Sequence, residues 1–550
     1  MKIPVDSTKR YSFYIDLKDK CNATREDRRK LYNLWRSFYL NGGGPEVSET
    51  VINKIMPHIN TLASLMYSSE TTRFSIDIPP SVSDLEKEKV PPLMQKLNDT
   101  WHLSNADLVF GQALEWSFVY ASMFIKIRVG AGGVLEPYAV EPHDVGVLRE
   151  DICGLWKQEA FTHSYWTTAS QLEMNLREIE HPRLGAILDK VIATPKPPQS
   201  DQTAALDRIV TSASTPNMIG NINFDLNGQS KYKPKVVEPM VQMHELYVWS
   251  DELGDYQVVT IADPGVVIFD RPLDKMFLKN EAPLIQVCPN PAHDFFWGYS
   301  EVDRLMPLQK MRNERFEQVQ HMMNLQARPP KFGSGFQGDV SELMDTMDSP
   351  SGLVVGDMPG AKMENLSPNI PDDLFKEIRD IDAMFEEVSG ITNVMQGRGE
   401  SGVRSQSHAQ NLARLGSSRA KRKALIIEDQ LEKIATLYLQ LIQAYDTESL
   451  RANNGIEFIP EQFTDKYIVK VDAHSNSPIF QEDQRSLAFD LFKIHAIDRE
   501  SLLDLLDVPM KELLKTRLRT QIEPQEAESK KAELQAIAQG EKVKQLKRHS

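Results

Sequence analysis

This 550-residue sequence has few cysteines, no long apolar run and no surplus of basic residues. The three cysteines, Cys21, Cys153 and Cys288, are far apart and form no CxxC pair, which indicates a reducing compartment and argues against a cysteine-based zinc site. No signal peptide is recognisable, and no apolar run approaches the ~18 residues of a membrane helix. We therefore expect a soluble, cytoplasmic protein with no membrane partner.

Acidic residues dominate the charge: 78 of them outnumber 63 basic residues, which gives a net charge of -15. A freestanding nucleic-acid binder usually carries a basic face, so this balance argues against that class of protein. The charge balance leaves open a protein that guides nucleic acid past its surface without binding it tightly.

The segment GRGESGVRS at 397–405 has the glycine spacing of a phosphate-binding loop but lacks its other requirements. A working P-loop has a lysine directly after its second glycine, whereas here Val403 follows Gly402 and Arg404 comes one place late. A helical pattern, rather than a buried strand, precedes the segment. The sequence also offers no strand-borne acidic residue for magnesium, so we expect neither an NTPase nor a cofactor or metal.

Helical and strand-like patterns occupy separate blocks of the chain. The residues up to about 125 are predicted to be mainly helical, because apolar residues recur every three or four positions. From there to about residue 290, short runs rich in Val, Ile and Tyr predict strands. Between these runs the polar stretch 195–235 is predicted to be an exposed excursion.

A long and very polar helix is predicted from residue 300. Ser300 with Asp303 resembles a capping box, and Pro307 is expected to kink or restart the helix near its beginning. A helix this polar cannot be central to the core of a monomer, so we expect it to stand in solvent or to pack against copies of itself. Its apolar stripe is thin and consists of Met311, Phe316, Val319, Met322 and Met323.

The order of elements after this helix is distinctive. Pro329 and Pro330 end the helix, and about 40 residues rich in Gly and Pro follow, with one strand candidate at 353–355. A second helix is predicted between Pro371 and Gly390. After the glycine segment, a long helix is predicted over about 405–444, with a bend at Gly416, then a short β segment and a helical C-terminus with a charged tail.

Several residues that resemble sites have ordinary structural interpretations. His293 beside Asp294 has no further ligand nearby, and we interpret HDFFWGY as a packed segment before the polar helix. His321 and His408 have no partners that the pattern identifies. The basic cluster from Arg414 to Lys423 could touch phosphate, but such a run is usually a solvated face, or it pairs with acidic residues of a neighbouring subunit.

This order of elements resembles the portal protein of tailed bacteriophages, over nearly the whole chain. The family's fold is α+β and mainly helical, and it forms rings. The similarity is carried by the segments YAVEPHDVGVLRED, GYSEVDRLMPLQKMRNE with ARPPK closing it, EEVSGITNVMQGRGESG and SQSHAQNLARLGSSRAKRKALIIEDQLEKI.

The resemblance implies a division of the chain into the parts of a portal subunit. These are a wing at 1–299, a stem helix at 300–328, a clip at 329–370, a second stem helix at 371–389, a tunnel loop at 390–405, a long helix with a return to the wing at 406–480, and a crown at 481–550. A ring explains why the polar helix needs only a thin apolar stripe, since its neighbours are other subunits.

The resemblance also implies roles for individual residues. The expected channel-facing residues of the tunnel loop are Gln396, Arg398, Glu400 and Arg404. Glycines would give a hinge between two helices, at Gly390, Gly397, Gly399 and Gly402. The residues expected to pack between subunits in the stem are Met311, Phe316, Val319, Ile378, Ile381 and Phe385.

A portal protein would form a dodecameric ring at one capsid vertex of the virion, assembled in the host cytoplasm. Double-stranded DNA would pass through its channel during packaging and ejection. The implied partners are the terminase large subunit, the head–tail adaptor, and the major capsid and scaffolding proteins. Two alternatives stay open: a viral structural scaffold without a channel, and a nucleotide-binding enzyme that uses the degenerate GRGESGVRS loop.

Overall fold

The computed structural model describes the chain in segments separated by gaps, the longest of which are 193–239, 335–361, 392–417 and 504–550. The described residues are 1–43, 51–68, 72–80, 82–130, 133–178, 184–192, 240–273, 284–327, 331–334, 362–365, 370–391, 418–452, 455–463 and 467–471, with a few short stretches between 488 and 503. Within them the fold mixes helices and strands, as the sequence predicts.

The first 120 residues are mainly helical, as predicted, with one short strand. Asp6 begins the first helix, because its carboxylate accepts hydrogen bonds from the backbone N–H groups of Thr8 (2.9 Å) and Lys9 (3.4 Å). Gly42 ends the second in a left-handed conformation with φ of 73°. The elements are α1 (Ser7–Cys21), α2 (Arg25–Asn41), α3 (Ile55–Met66), β1 (Phe74–Asp77), α4 (Asp84–Lys87), α5 (Val90–Leu103) and α6 (Ala106–Tyr120).

Two antiparallel sheets follow, as the Val- and Ile-rich runs predict. The smaller sheet has the order β3-β2-β9, and the larger has the order β4-β5-β6-β7-β8. Two helices, α7 (Ala169–Glu178) and α8 (Leu184–Ile192), pack on the larger sheet. The strands are β2 (Met123–Val129), β3 (Leu135–Val140), β4 (Val145–Val147), β5 (Ala160–Thr168), β6 (Met240–Ser250), β7 (Asp255–Ala262), β8 (Val266–Pro272) and β9 (Leu284–Val287).

The second half of the chain contains three long helices. They are α9 (Glu301–Ala327), α10 (Asp372–Ser389) and α11 (Ser418–Tyr445). Between α9 and α10, β10 (Lys331–Ser334) pairs antiparallel with β11 (Lys362–Asn365). After α11 come β12 (Leu450–Arg451), β13 (Glu457–Phe458) and β14 (Ile468–Val471), and β14 pairs with β1 across nearly 400 residues of sequence.

The largest hydrophobic core surrounds α11. One face of this helix, including Ile427, Leu431 and Tyr438, is fully buried against α3, α5 and β9. The Trp101 and Tyr438 rings meet edge to face with centroids 5.1 Å apart. We refer to α1–α8, β1–β9 and α11 together as the body.

Three predictions about local structure have different outcomes. Pro371 and Gly390 bound α10 as predicted, and Gly390 is left-handed with φ of 74°. Of the predicted kink or restart at Pro307, the restart is wrong, because α9 is a single helix from Glu301 and Pro307 lies inside it, whereas the kink stays a prediction. The predicted excursion at 195–235, the strand candidate at 353–355, His408, Gly416 and the C-terminal tail lie outside the described residues.

Candidate assembly site on the helical hairpin

Helices α9 and α10 pack against each other to form a hairpin. Two ion pairs join them: Arg312 Nε lies 2.8 Å from Asp382 Oδ1, and Arg315 Nε lies 2.9 Å from Glu377 Oε1. Both helices bury apolar side chains within the single chain, and two of these, Ile381 and Phe385, belong to the large core around α11. The set consists of Val319, Ile378, Ile381 and Phe385.

The first half of α9 is fixed to the body at its starting point. The Ser300 hydroxyl accepts hydrogen bonds from the N–H groups of Val302 (3.0 Å) and Asp303 (3.3 Å), which confirms it as the N-cap. The same hydroxyl donates to the Val119 carbonyl oxygen of α6 at 2.6 Å. Asp303 does not complete a capping box, because its carboxylate accepts a hydrogen bond from Trp35 Nε1 at 3.0 Å.

Polar side chains in this half are buried against the residues before α3. Gln309 is fully buried: its Nε2 donates to the Ile52 carbonyl oxygen (3.1 Å), and its Oε1 accepts from the Lys54 N–H (3.0 Å). Arg312 Nη1 also donates to the Ile52 oxygen, at 3.2 Å. The prediction that this helix is too polar to enter the core is therefore wrong for its first half, because the polar groups there are satisfied inside the chain.

The second half of α9 has a different environment. Within residues 314–327, all of which the structure describes, Val319 alone is buried. Large apolar side chains elsewhere on the hairpin keep much of their surface in solvent. They are Met311 (43% exposed), Met323 (54%), Phe375 (41%), Met384 (45%) and Val388 (48%).

These exposed residues lie on two flanks of the hairpin. An α-helix turns by about 100° per residue, so on α10 the buried face of Ile378 and Phe385 separates Phe375 from Met384 and Val388. Phe375 lies on one flank, and Met384 with Val388 lies on the other. Each flank therefore keeps apolar surface in solvent.

The structure describes only part of the residue set predicted from the sequence. Gln396, Arg398, Glu400 and Arg404 lie outside the described residues, as do Gly397, Gly399 and Gly402. Of the six residues predicted to pack between subunits, four are buried within the single chain, and the Arg312 guanidinium stacks over the Phe316 ring at 4.4 Å. Met311 keeps the most exposed surface, and contact of these residues with a neighbouring subunit stays a prediction.

Lys423, the last residue of the predicted basic cluster, has a partner inside the chain. Its ammonium group forms an ion pair and hydrogen bond with Glu301, the first residue of α9. The pattern could not identify this partner, since the two residues are 122 positions apart.

A second buried ion pair, also missed by the sequence patterns, lies between the two sheets. Lys126 of β2 pairs with Glu245 of β6, and the ring of His163 lies beside both. Burial alone would raise the pKa of Glu245, but the nearby Lys126 charge and the His163 hydrogen bond outweigh this and lower it. Burial, with the Lys126 charge, lowers the pKa of His163. These groups tie the sheets together as a structural network.

Other candidates from the sequence have structural environments. His293, Asp294 and His321 are exposed, whereas Phe296 and Trp297 are buried, with the Arg28 guanidinium 3.8 Å above the Trp297 ring. Over the described residues, no three His, Cys, Asp or Glu side chains gather as they would around a metal ion. None of the described helices combines the length and apolarity of a membrane span.

Comparison with known proteins identifies the family. No curated protein matches the sequence. The sequence profile of the family described as "Phage SU10 portal protein" matches residues 202–478, which is half of the chain and includes the hairpin and α11. Portal proteins are structural, oligomeric proteins of the capsid. The chain therefore belongs to the portal protein family of tailed bacteriophages.

Proposed function

We propose that the chain is the subunit of a ring-shaped channel at one vertex of the capsid, through which double-stranded DNA is packaged and ejected. The expected ring is a dodecamer. In this proposal residues 1–299 are the wing, α9 and α10 are the stem, the residues between them form the clip, and residues 481–550 are the crown. The clip binds the terminase large subunit and later the head–tail adaptor, and the body contacts the capsid and scaffolding proteins.

The two apolar flanks of the hairpin carry this proposal. A subunit in a closed ring has a different neighbour on each side, so it needs contact surface on two flanks at once. Phe375 on one flank and Met384 with Val388 on the other meet that requirement. Met311 and Met323 add apolar surface on α9, and methionine adapts its shape well to an irregular contact.

The charge of the hairpin favours DNA that slides. Each phosphate neutralised by lysine or arginine adds binding free energy and therefore drag. Helix α10 contains seven acidic and two basic residues. A wall of this kind repels the DNA backbone, and we expect the few cationic contacts to come from Arg398 and Arg404 in the tunnel loop, alongside Gln396 and Glu400.

Electron microscopy of the purified protein tests the ring directly. We expect rings with a central hole in the absence of any other phage protein. Deletion of residues 397–402 is expected to leave these rings intact but to reduce DNA packaging or DNA retention, because it removes the proposed hinge glycines Gly397, Gly399 and Gly402. The fourth, Gly390, is kept, since its left-handed conformation ends α10.

Two results would contradict this proposal in separate ways. A protein that stays monomeric at high concentration would remove the channel. Rings that fail to form only in the deletion variant would leave the channel in place, and would show that the loop is structural rather than a hinge.

A further inference from the structure

The N-terminal end of α11 is held to the first turn of α9 by a buried ion pair. Glu301 is only 2% exposed, and its carboxylate accepts hydrogen bonds from Lys423 Nζ and, at 2.8 Å, from Asn290 Nδ2. Arg304 Nη1 lies 3.7 Å from the same oxygen. Burial alone would raise the pKa of Glu301, but the Lys423 charge and hydrogen bond outweigh it and the pKa is lowered. The carboxylate is thus ionised at neutral pH.

A buried histidine lies beside this pair and leaves it undisturbed. His58 of α3 is buried, and its Nε2 has no hydrogen-bond partner among the described residues. Burial is the main cause that lowers the pKa of His58 to about 4, with opposing contributions from Glu301 and Lys423. The imidazole is therefore neutral at pH 7, and Lys423 is the nearest full positive charge that donates to Glu301.

The described part of α11 before residue 427 buries little apolar area. Its buried side chains are Ala420 and Ala424. Large buried side chains begin at Ile427 and continue to Ile442. The ion pair with Glu301 therefore adds a directional contact to a part of the helix that has little hydrophobic packing.

Helix α9 holds the other long helices at two points. Glu301 binds α11, and Arg312, eleven residues later, binds Asp382 of α10. At 1.5 Å per residue these two points are ~16 Å apart along one rigid helix. Displacement of α9 would move both attachments together, which keeps α10 and the beginning of α11 in a fixed relation.

We propose that Glu301 and Lys423 are positioning residues of the portal subunit. The pair fixes the part of α11 around Lys423 relative to the base of the hairpin, so that every subunit around the ring presents this part of the helix in the same place. This inference rests on the proposed ring function. The loss of the pair loosens α11 around Lys423, without unfolding the body or preventing ring formation.

Hydrogen–deuterium exchange of the full-length protein tests the pair. In Lys423→Met, we expect exchange of the amides in 420–430 to be at least tenfold faster than in the unmodified protein, with 434–445 unchanged. Lys423→Arg keeps the charge and should keep exchange slow. The matched control is Lys433→Met on the same helix, since Lys433 pairs with Asp429 at 2.6 Å with both side chains 62% exposed, and we expect no change.

The double variant Glu301→Gln with Lys423→Met keeps the test valid if Lys423→Met alone does not fold. It removes both charges, so no unpaired carboxylate is left buried, and we expect it to fold and to show the same fast exchange in 420–430. Slow exchange in this folded double variant would overturn the proposal, and so would equal acceleration along all of α11. Exchange of the unassembled subunit needs no ring, so absent rings would contradict the proposed function alone.

Discussion

The two halves of α9 are similar in sequence but differ in their surroundings. Residues 301–313 contain the buried polar side chains Gln309 and Arg312, whereas Val319 is the one buried residue of 314–327, all of which the structure describes. Both halves are rich in charged and amide side chains, and both contact α10. The difference shows that the polarity of a helix alone does not predict its exposure. A polar side chain can be buried when another part of the chain supplies its hydrogen-bonding partners.

The largest expected difference between the halves concerns their arginines. Arg312→Ala in the first half removes a 5%-exposed guanidinium and leaves Asp382 with Lys54, 3.3 Å away, in place of two cationic partners, so we expect a loss of about 3 kcal/mol in unfolding free energy. Arg315→Ala is the control in the second half, where both partners are more exposed, and we expect a loss below about 1 kcal/mol. Urea denaturation of the unassembled subunit measures both. Equal losses would show that the two halves are held alike.

Histidines near the two halves should differ in their pH response. The pKa of buried His58 is lowered from 6.5 to about 4. Between these two values the unfolded chain binds a proton that the folded chain does not bind. Its contribution to stability is complete above pH 6.5 and declines as the pH falls, by about 2 kcal/mol at pH 5.

His58→Gln should therefore flatten the dependence of stability on pH between 7 and 5. His321→Gln, in the exposed second half of α9, should leave that dependence as it is in the unmodified protein. Urea midpoints at several pH values provide the comparison. If the dependence of stability on pH is unchanged in His58→Gln, the buried His58 imidazole is not the group that causes it.

The smallest expected effects on subunit stability separate packing within the hairpin from packing between subunits. Val319→Ala should cost about 1–2 kcal/mol, because Val319 is buried in the single chain. Met323→Ala should change stability by less than about 0.5 kcal/mol, since this side chain is 54% exposed, but it should lower the fraction of protein in rings. Urea midpoints and ring counts by electron microscopy measure the two effects. Unaltered ring formation in Met323→Ala would remove this residue from the proposed contact.

Local features of the fold follow from the sequence, whereas long-range partners do not. Apolar periodicity and Gly390 were sufficient to predict α10, and the change of pattern near residue 122 predicted the passage from α6 to β2. The prediction failed at Gln309, whose partner Lys54 is 255 residues away. No periodicity encodes such a pairing, because it depends on how distant segments meet in the folded chain.

The same limit applies to the candidate site. The sequence indicated a hairpin with a thin apolar stripe, but it could not separate the side chains covered within one chain, such as Ile381, from those left exposed, such as Met384. That distinction arises only when α10 is rotated into contact with α9. The segment 392–417 contains the predicted tunnel-loop residues, and their role stays a prediction.

The Ser300 hydroxyl fixes the position of the N-terminal end of α9. By capping α9 and binding the end of α6 with one oxygen atom, Ser300 clamps the base of a helix that is ~40 Å long at 1.5 Å per residue. A tilt of about 5° at this base would swing the far end by about 3.5 Å, by the geometry of a rod of that length. Small rearrangements where α6 meets α9 would thus be magnified at the opposite end, and a force applied at that end would be transmitted to the buried contact between Ser300 and Val119.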